Sequence, residues 1–181
     1  MKPQTLILAL AIGALALPGL ADDSLVPYAG QQSRTIKALS DEDIAALLQG
    51  EGMGMAKAAE LNGYPGPKHV LTLAEELKLT ASQRQEIQAV FDRMSAAAKP
   101  LGAELVERER ALDQQFAKRE ITHDRLAAET AAIGELEAHL RSVHLAAHLE
   151  TRALLSPDQI ARYEQLRGYG SPAAPMHHHS G

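Results

Sequence analysis

Between Thr80 and Leu154 the chain carries two long apolar stripes at helical spacing, and this stretch limits the possible folds more than any other. In the first stripe Ile87, Phe91, Met94, Ala98, Leu101, Leu105, Leu112 and Phe116 recur mostly at steps of three and four, which places them on one seam of a helix. The second runs through Leu126, Ile133, Leu136, Leu140, Val143, Ala147 and Leu154 with the same alternation. Lys118 to Thr122 is a short polar break between them. Two amphipathic helices joined so briefly pack antiparallel, each seam hiding against the other. The predicted fold class is therefore all-α: a long antiparallel helical hairpin with short flanking helices. Pro100 falls inside the first helix, where a proline removes one hydrogen bond and crowds the preceding turn. The apolar phase continues across it, so the spacing predicts a kink rather than an end.

The ends of the helices are written in the sequence. Leu79-Thr80-Ala81-Ser82-Gln83 predicts a capping box, with the Thr80 hydroxyl on the Gln83 N–H and the Gln83 amide reaching back to the Thr80 N–H. Leu155-Ser156-Pro157-Asp158-Gln159 repeats the device, with Pro157 at the favoured first position of a last helix that stops at Gly168. Thr122 caps the second long helix, and Ser40 with Asp43 opens an earlier one that ends near Gly50. Two short helices are expected between, one from Met55 to Asn62-Gly63 and one from His69 to Lys78, separated by the rigid turn Tyr64-Pro65-Gly66-Pro67. Few aromatics (3 %) and abundant Ala, Leu, Glu, Gln and Arg agree with helix and disfavour sheet.

Lys2, the apolar run Leu6 to Leu17 and the small-residue ending Gly19-Leu20-Ala21 read as a secretory signal peptide over 1–21, the alternative being an uncleaved anchor. The expected domains are that leader, a mobile lead-in over 22–39, one helical domain over 40–169 and a disordered His-containing tail over 170–181. Net charge is −5 with no basic stripe, so nucleic acid is not an expected partner. Cysteine is absent, which excludes disulfides and thiol chemistry. No nucleophile motif or nucleotide-binding glycine loop is present, so an enzyme is not expected.

The candidate metal ligands are histidines and methionines. His144 and His148 stand four apart on the second long helix, a spacing that can chelate a transition metal, while His139 falls across the seam. Zinc takes at least three protein ligands as a rule, so Glu137, Glu150, Met53, Met55 or a partner chain would supply the rest. The competing reading is solvated, non-ligand histidines at helix edges. Met53 and Met55 could hold copper(I) through thioethers or simply pack. His177, His178 and His179 could form a metal-capturing tail or an expression-tag remnant.

The two boxes, Leu79-Thr80-x-x-Gln83 and Leu155-Ser156-x-x-Gln159, resemble the LTxxQ motif of the Spy/CpxP family, with Ser for Thr in the second copy. Ala59-Glu60-Leu61-Asn62-Gly63-Tyr64-Pro65-Gly66-Pro67 and Arg162-Tyr163-Glu164-Gln165-Leu166-Arg167-Gly168-Tyr169 look like the family's heavy-metal-sensor and zinc-resistance branch. The resemblance covers roughly residues 41–169. It implies a periplasmic all-α protein, often dimeric with a cradle-like face. Its function would be that of an ATP-independent stress chaperone for unfolded clients, or of a zinc, nickel/cobalt or copper sensor; a third, blander reading is a structural helical partner of an inner-membrane regulator. No cofactor is required beyond such an ion. In nickel/cobalt-sensing relatives a pair four apart on this helix contributes ligands, and His144 and His148 match that spacing.

Overall fold

The computed structural model describes residues 28–169. The chain divides into two units at Gln32/Ser33. The described part of the first is a turn in which the Tyr28 carbonyl accepts from the Gln31 N–H at 3.0 Å. The described part of the second holds six α-helices: α1 (Asp41–Gln49), α2 (Lys57–Glu60), α3 (Pro67–Thr72), α4 (Ala81–Ala117), α5 (His123–Ala153) and α6 (Pro157–Arg167). Strands are absent among the described residues, and no described helix is long and apolar enough to cross a membrane.

α4 has 37 residues and spans about 55 Å at 1.5 Å per residue. It runs unbroken through Pro100, which sits exposed on the helix, where its ring costs one hydrogen bond but no core packing. Arg119 then takes the left-handed conformation (φ 58°), and the Glu120 N–H closes the helix on the Gln115 carbonyl at 2.9 Å. α5 starts at once from the Thr122 cap, whose hydroxyl accepts from the Arg125 N–H at 3.3 Å. Because Arg125 occupies the third helical position, no reciprocal box forms there. The hairpin is antiparallel: Gln83 at the start of α4 meets Leu154 just past the end of α5, and Arg108 meets Glu129 nearer the turn.

The buried stripe of α5 is Ile133, Leu136, Leu140, His144, Ala147 and Thr151. A heptad seam through Leu140 and Ala147 would bury Val143 and leave His144 at the edge. A straight helix has 3.6 residues per turn, so its stripe drifts about 20° per heptad, and His144 and Thr151 rotate inward. Thr151 satisfies its hydroxyl on the Ala147 carbonyl at 2.7 Å. On α4 the drift likewise brings in Val90, Gly102 and Val106 and leaves Phe116 53 % exposed.

Two apolar clusters line the hairpin. One joins Ile36 and Leu47 to Ala98, Leu105, Ile133 and Leu140. α1 lies very close to α4 here, since a Cβ on Gly102 would sit 2.1 Å from the Leu47 carbonyl oxygen. Ile36 is fully buried, and Asp113 accepts from the Lys37 backbone at 3.1 Å. The lead-in expected to be mobile up to residue 39 is thus anchored at its end by one apolar side chain. The other cluster gathers Val70, Leu77, Leu79, Ile87, Leu155 and Tyr163 at the open end of the hairpin.

There the two capping boxes meet. Each glutamine closes its own box, Gln83 Oε1 accepting from the Thr80 N–H at 3.0 Å and Gln159 Oε1 from the Ser156 N–H at 2.9 Å. Their amides also pair with each other, Gln83 Nε2 to Gln159 Oε1 at 2.9 Å and Gln159 Nε2 to Gln83 Oε1 at 3.1 Å. Each then donates across to the other box's lead-in, Gln83 to the Leu154 carbonyl at 2.8 Å and Gln159 to the Leu77 carbonyl at 3.2 Å. A local cap has become a clamp between the start of α4 and the start of α6.

The helix expected over His69 to Lys78 is shorter and earlier. Pro67 takes its first position and it ends at Thr72, followed by hydrogen-bonded turns until Lys78 adopts a left-handed φ of 51° and the Leu79 N–H closes on Ala74 at 3.0 Å. Pro67 pre-sets the helical φ, which fixes the start two residues ahead of the expected one.

Candidate functional site

Outside the clamp, the polar structure converges on Glu60 at the end of α2. Its Oε1 accepts from the Tyr163 hydroxyl at 2.5 Å and the Tyr169 hydroxyl at 3.2 Å, with Arg167 Nε at 3.4 Å. Its Oε2 accepts from the Gly66 N–H at 3.2 Å and lies 3.8 Å from His148 Nδ1. Burial, then the hydrogen bond to Glu60, pushes the Tyr163 hydroxyl far above the usual phenol range, so it stays a donor. The side chain of Arg152 donates to the Gly63 carbonyl and stacks 4.6 Å above the Tyr64 ring. The Glu60–Pro67 and Arg162–Tyr169 segments are thus two halves of one interlocked network.

The turn between α2 and α3 is shaped by what it must approach. A Cβ on Gly66 would lie 2.8 Å from the His148 ring, and one on Gly63, whose φ is 76°, would lie 2.9 Å from Glu164 Oε1. The Tyr64 carbonyl can only accept, so at 2.6 Å it takes the proton on His148 Nδ1. In the neutral ring the lone pair is then on Nε2, the arrangement in which imidazoles usually bind metals.

α4, α5, the Gln49–His69 segment and Tyr169 border a solvent-open cavity of about 710 Å³. Met53 and Gly54 are both left-handed (φ 44° and 80°), and the Met55 N–H closes this turn on the Gly52 carbonyl at 2.7 Å. The turn covers His144, whose Nδ1 is 3.3 Å from where a Cβ on Gly52 would stand. His144 is only 4 % exposed, and its Nε2 is buried without a hydrogen-bond partner. Burial, and next the neighbouring His148, hold its pKa below the ordinary imidazole value. His69 is lowered too, by burial and then by Arg167.

The cavity wall brings together His144, His148 and Met53 from the sequence-based candidates. It does not include His139, which is exposed. Met55 turns instead against the first apolar cluster, so the two methionines do not face one space. Glu150 pairs with Arg93 at 2.6 Å, and Glu137 lines a separate depression beside Met55 and Arg141. Neither carboxylate completes the pair of histidines. The reading of His144 as a solvated edge residue is overturned by its burial. Glu60 and His69, which sequence reasoning passed over, stand on the wall instead. Among the described residues no group of three or more His, Asp or Glu side chains is arranged to hold a metal ion, so they do not by themselves form a coordination shell. The expected signal peptide and His177 to His179 lie outside the described residues.

Comparison with curated proteins and with solved structures gives no match. A family model described as LTXXQ motif family protein matches residues 67–167, from the first residue of α3 to the last of α6, a span that contains both boxes and the hairpin they clamp. The chain therefore belongs to the LTXXQ motif family.

Proposed function

We propose that this protein works in the periplasm as an ATP-independent holdase of the Spy/CpxP type, retaining unfolded clients through weak apolar and charged contacts. The observation that carries the reading is apolar surface left outside a well-packed core. Phe116, Leu149 and Leu61 are 53 %, 58 % and 55 % exposed, and Leu48 and Met53 are 49 % and 43 % exposed. Scattered exposed apolar side chains are ordinary on a stable fold. Here Met53 and Leu61 also border a cavity with lysines on its rim, which suits a client that is both greasy and charged. Holding and releasing by such contacts needs no nucleotide, and membership of this family supports the periplasmic setting and a homodimer. Purified protein lacking the leader should suppress aggregation of a chemically unfolded client at near-stoichiometric ratios. Aggregation at the rate of the client alone would refute the reading.

A metal-responsive role is the second reading, favoured by the unpartnered Nε2 of His144 one turn from the Nδ1-anchored ring of His148. The residues present offer two imidazoles to an ion and leave the remaining ligands to a partner chain or to rearrangement. Calorimetric titration with zinc, nickel and copper ions tests it. Heat lost in a His144→Ala, His148→Ala variant supports it, and no heat in the parent removes it.

A further inference from the structure

We propose that the cavity binds an anionic amphiphile, a medium-chain fatty carboxylate, with its head group between Lys57 and Lys99 and its chain against Phe91 and Met94. At about 710 Å³ the space is of the size that takes small organic ligands rather than single waters. Its wall is graded along α4. Phe91 and Met94 form the apolar part, and Lys99 follows about two helical turns, roughly 12 Å, beyond Phe91.

Charge decides what kind of head group fits. Three lysines line the cavity, Lys57, Lys68 and Lys99. Lys68 is paired with Glu51 at 3.5 Å. Glu60, the other carboxylate on the wall, is taken up by Gly66, Tyr163, Tyr169 and Arg167. Lys57 and Lys99 have no ion pair among the described residues, in a chain whose net charge is −5. Both run along the glycine turn at the cavity edge. A Cβ on Gly50 would sit 3.1 Å from Lys99 Cγ, and one on Gly54 would sit 3.8 Å from Lys57 Cε. Two ammonium groups outside any ion pair, although Lys57 also borders the depression that holds Glu137, stand beside apolar walls and suit a ligand with a negative end and a greasy body. This inference does not rest on holdase activity, which asks only for weak, dispersed contacts.

The test uses the full exported chain in EDTA, with a dansyl-labelled undecanoic acid as fluorescent probe, below its micelle concentration. Saturable binding to one site is expected. Dodecanoate should displace the probe at about tenfold lower concentration than dodecanol, the margin that charge-assisted contacts to the head group supply. Lys57→Gln with Lys99→Gln, both at exposed positions, should bring dodecanoate to the level of dodecanol and leave dodecanol unchanged. Ser95→Trp, which fills the wall between Met94 and Lys99, should abolish probe binding while circular dichroism remains that of the parent. Absence of saturable binding overturns the proposal. So does equal displacement by acid and alcohol, which would mark general apolar stickiness, or a double variant that discriminates as the parent does. A protein that binds the probe as described but fails to suppress aggregation would sink the holdase reading alone.

Discussion

His144 shows what a single residue can cost a fold. A buried polar atom without a partner is worth about 1–3 kcal/mol of lost stability, and His144 Nε2 is such an atom on a stripe whose other polar side chain, Thr151, has its hydrogen bond. His144→Leu should therefore raise the urea midpoint, by about 1 kcal/mol in unfolding free energy, because it removes the orphan and keeps the volume. A lowered midpoint would mean that the ring has a partner in solution. Asp43 illustrates the opposite case, a polar group fully used. Hydrogen bonds from the Ser40 hydroxyl and then the Ser40 N–H hold its carboxyl below the usual carboxylate range. Its folded-state pKa is depressed, so its contribution is present above the unfolded value near 4 and is lost as pH falls through the folded one. The stability gap between the parent and Asp43→Asn should be widest above about pH 5 and close below about pH 4. A gap that ignores pH in urea titrations would show that the box does not hold the charge.

At the scale of elements, what the sequence reveals depends on how far apart the interacting residues are. The caps at Ser40, Thr80, Thr122 and Ser156 were legible because donor and acceptor are three residues apart. Stripe phase was legible only approximately, since a 3.5-residue template misplaces Val143 and His144 on a 3.6-residue helix. Lys78 and Arg119 close their turns in the left-handed conformation that Gly50 and Gly168 adopt more easily; the break at Lys78 was legible from the cap that follows it, but the end of α3 at Thr72 was not, because no glycine or proline marks it. The contact of α1 with α4 was illegible, as nothing in the local sequence says that Gly102 faces a carbonyl. Gly102→Ala should cost about 2 kcal/mol, because the Leu47 oxygen it meets is backbone and cannot rotate away. Hydrogen exchange should show the α1 amides losing protection first, and unchanged protection in α1 would contradict the close approach.

For the whole molecule, function-bearing geometry comes from pairings across the length of the chain. Glu60 meets Tyr163 and Tyr169 at separations of 103 and 109 residues, and a single sequence carries no record of such contacts. The histidine spacing marked the face of α5 that lines the cavity, but not the cavity itself, His69 or the lysines on the rim. The central claim is that the two family boxes are one device, clamping the open end of the hairpin and so holding the cavity wall in register. It is tested most directly by a double-mutant cycle on Gln83→Ala and Gln159→Ala, with unfolding free energies from urea titration. Each single change should cost about 2 kcal/mol, for a lost cap and lost cross-bonds. The double change should cost less than the sum, with a coupling of about 1 kcal/mol. Strict additivity would mean two independent caps, and the clamp would not exist.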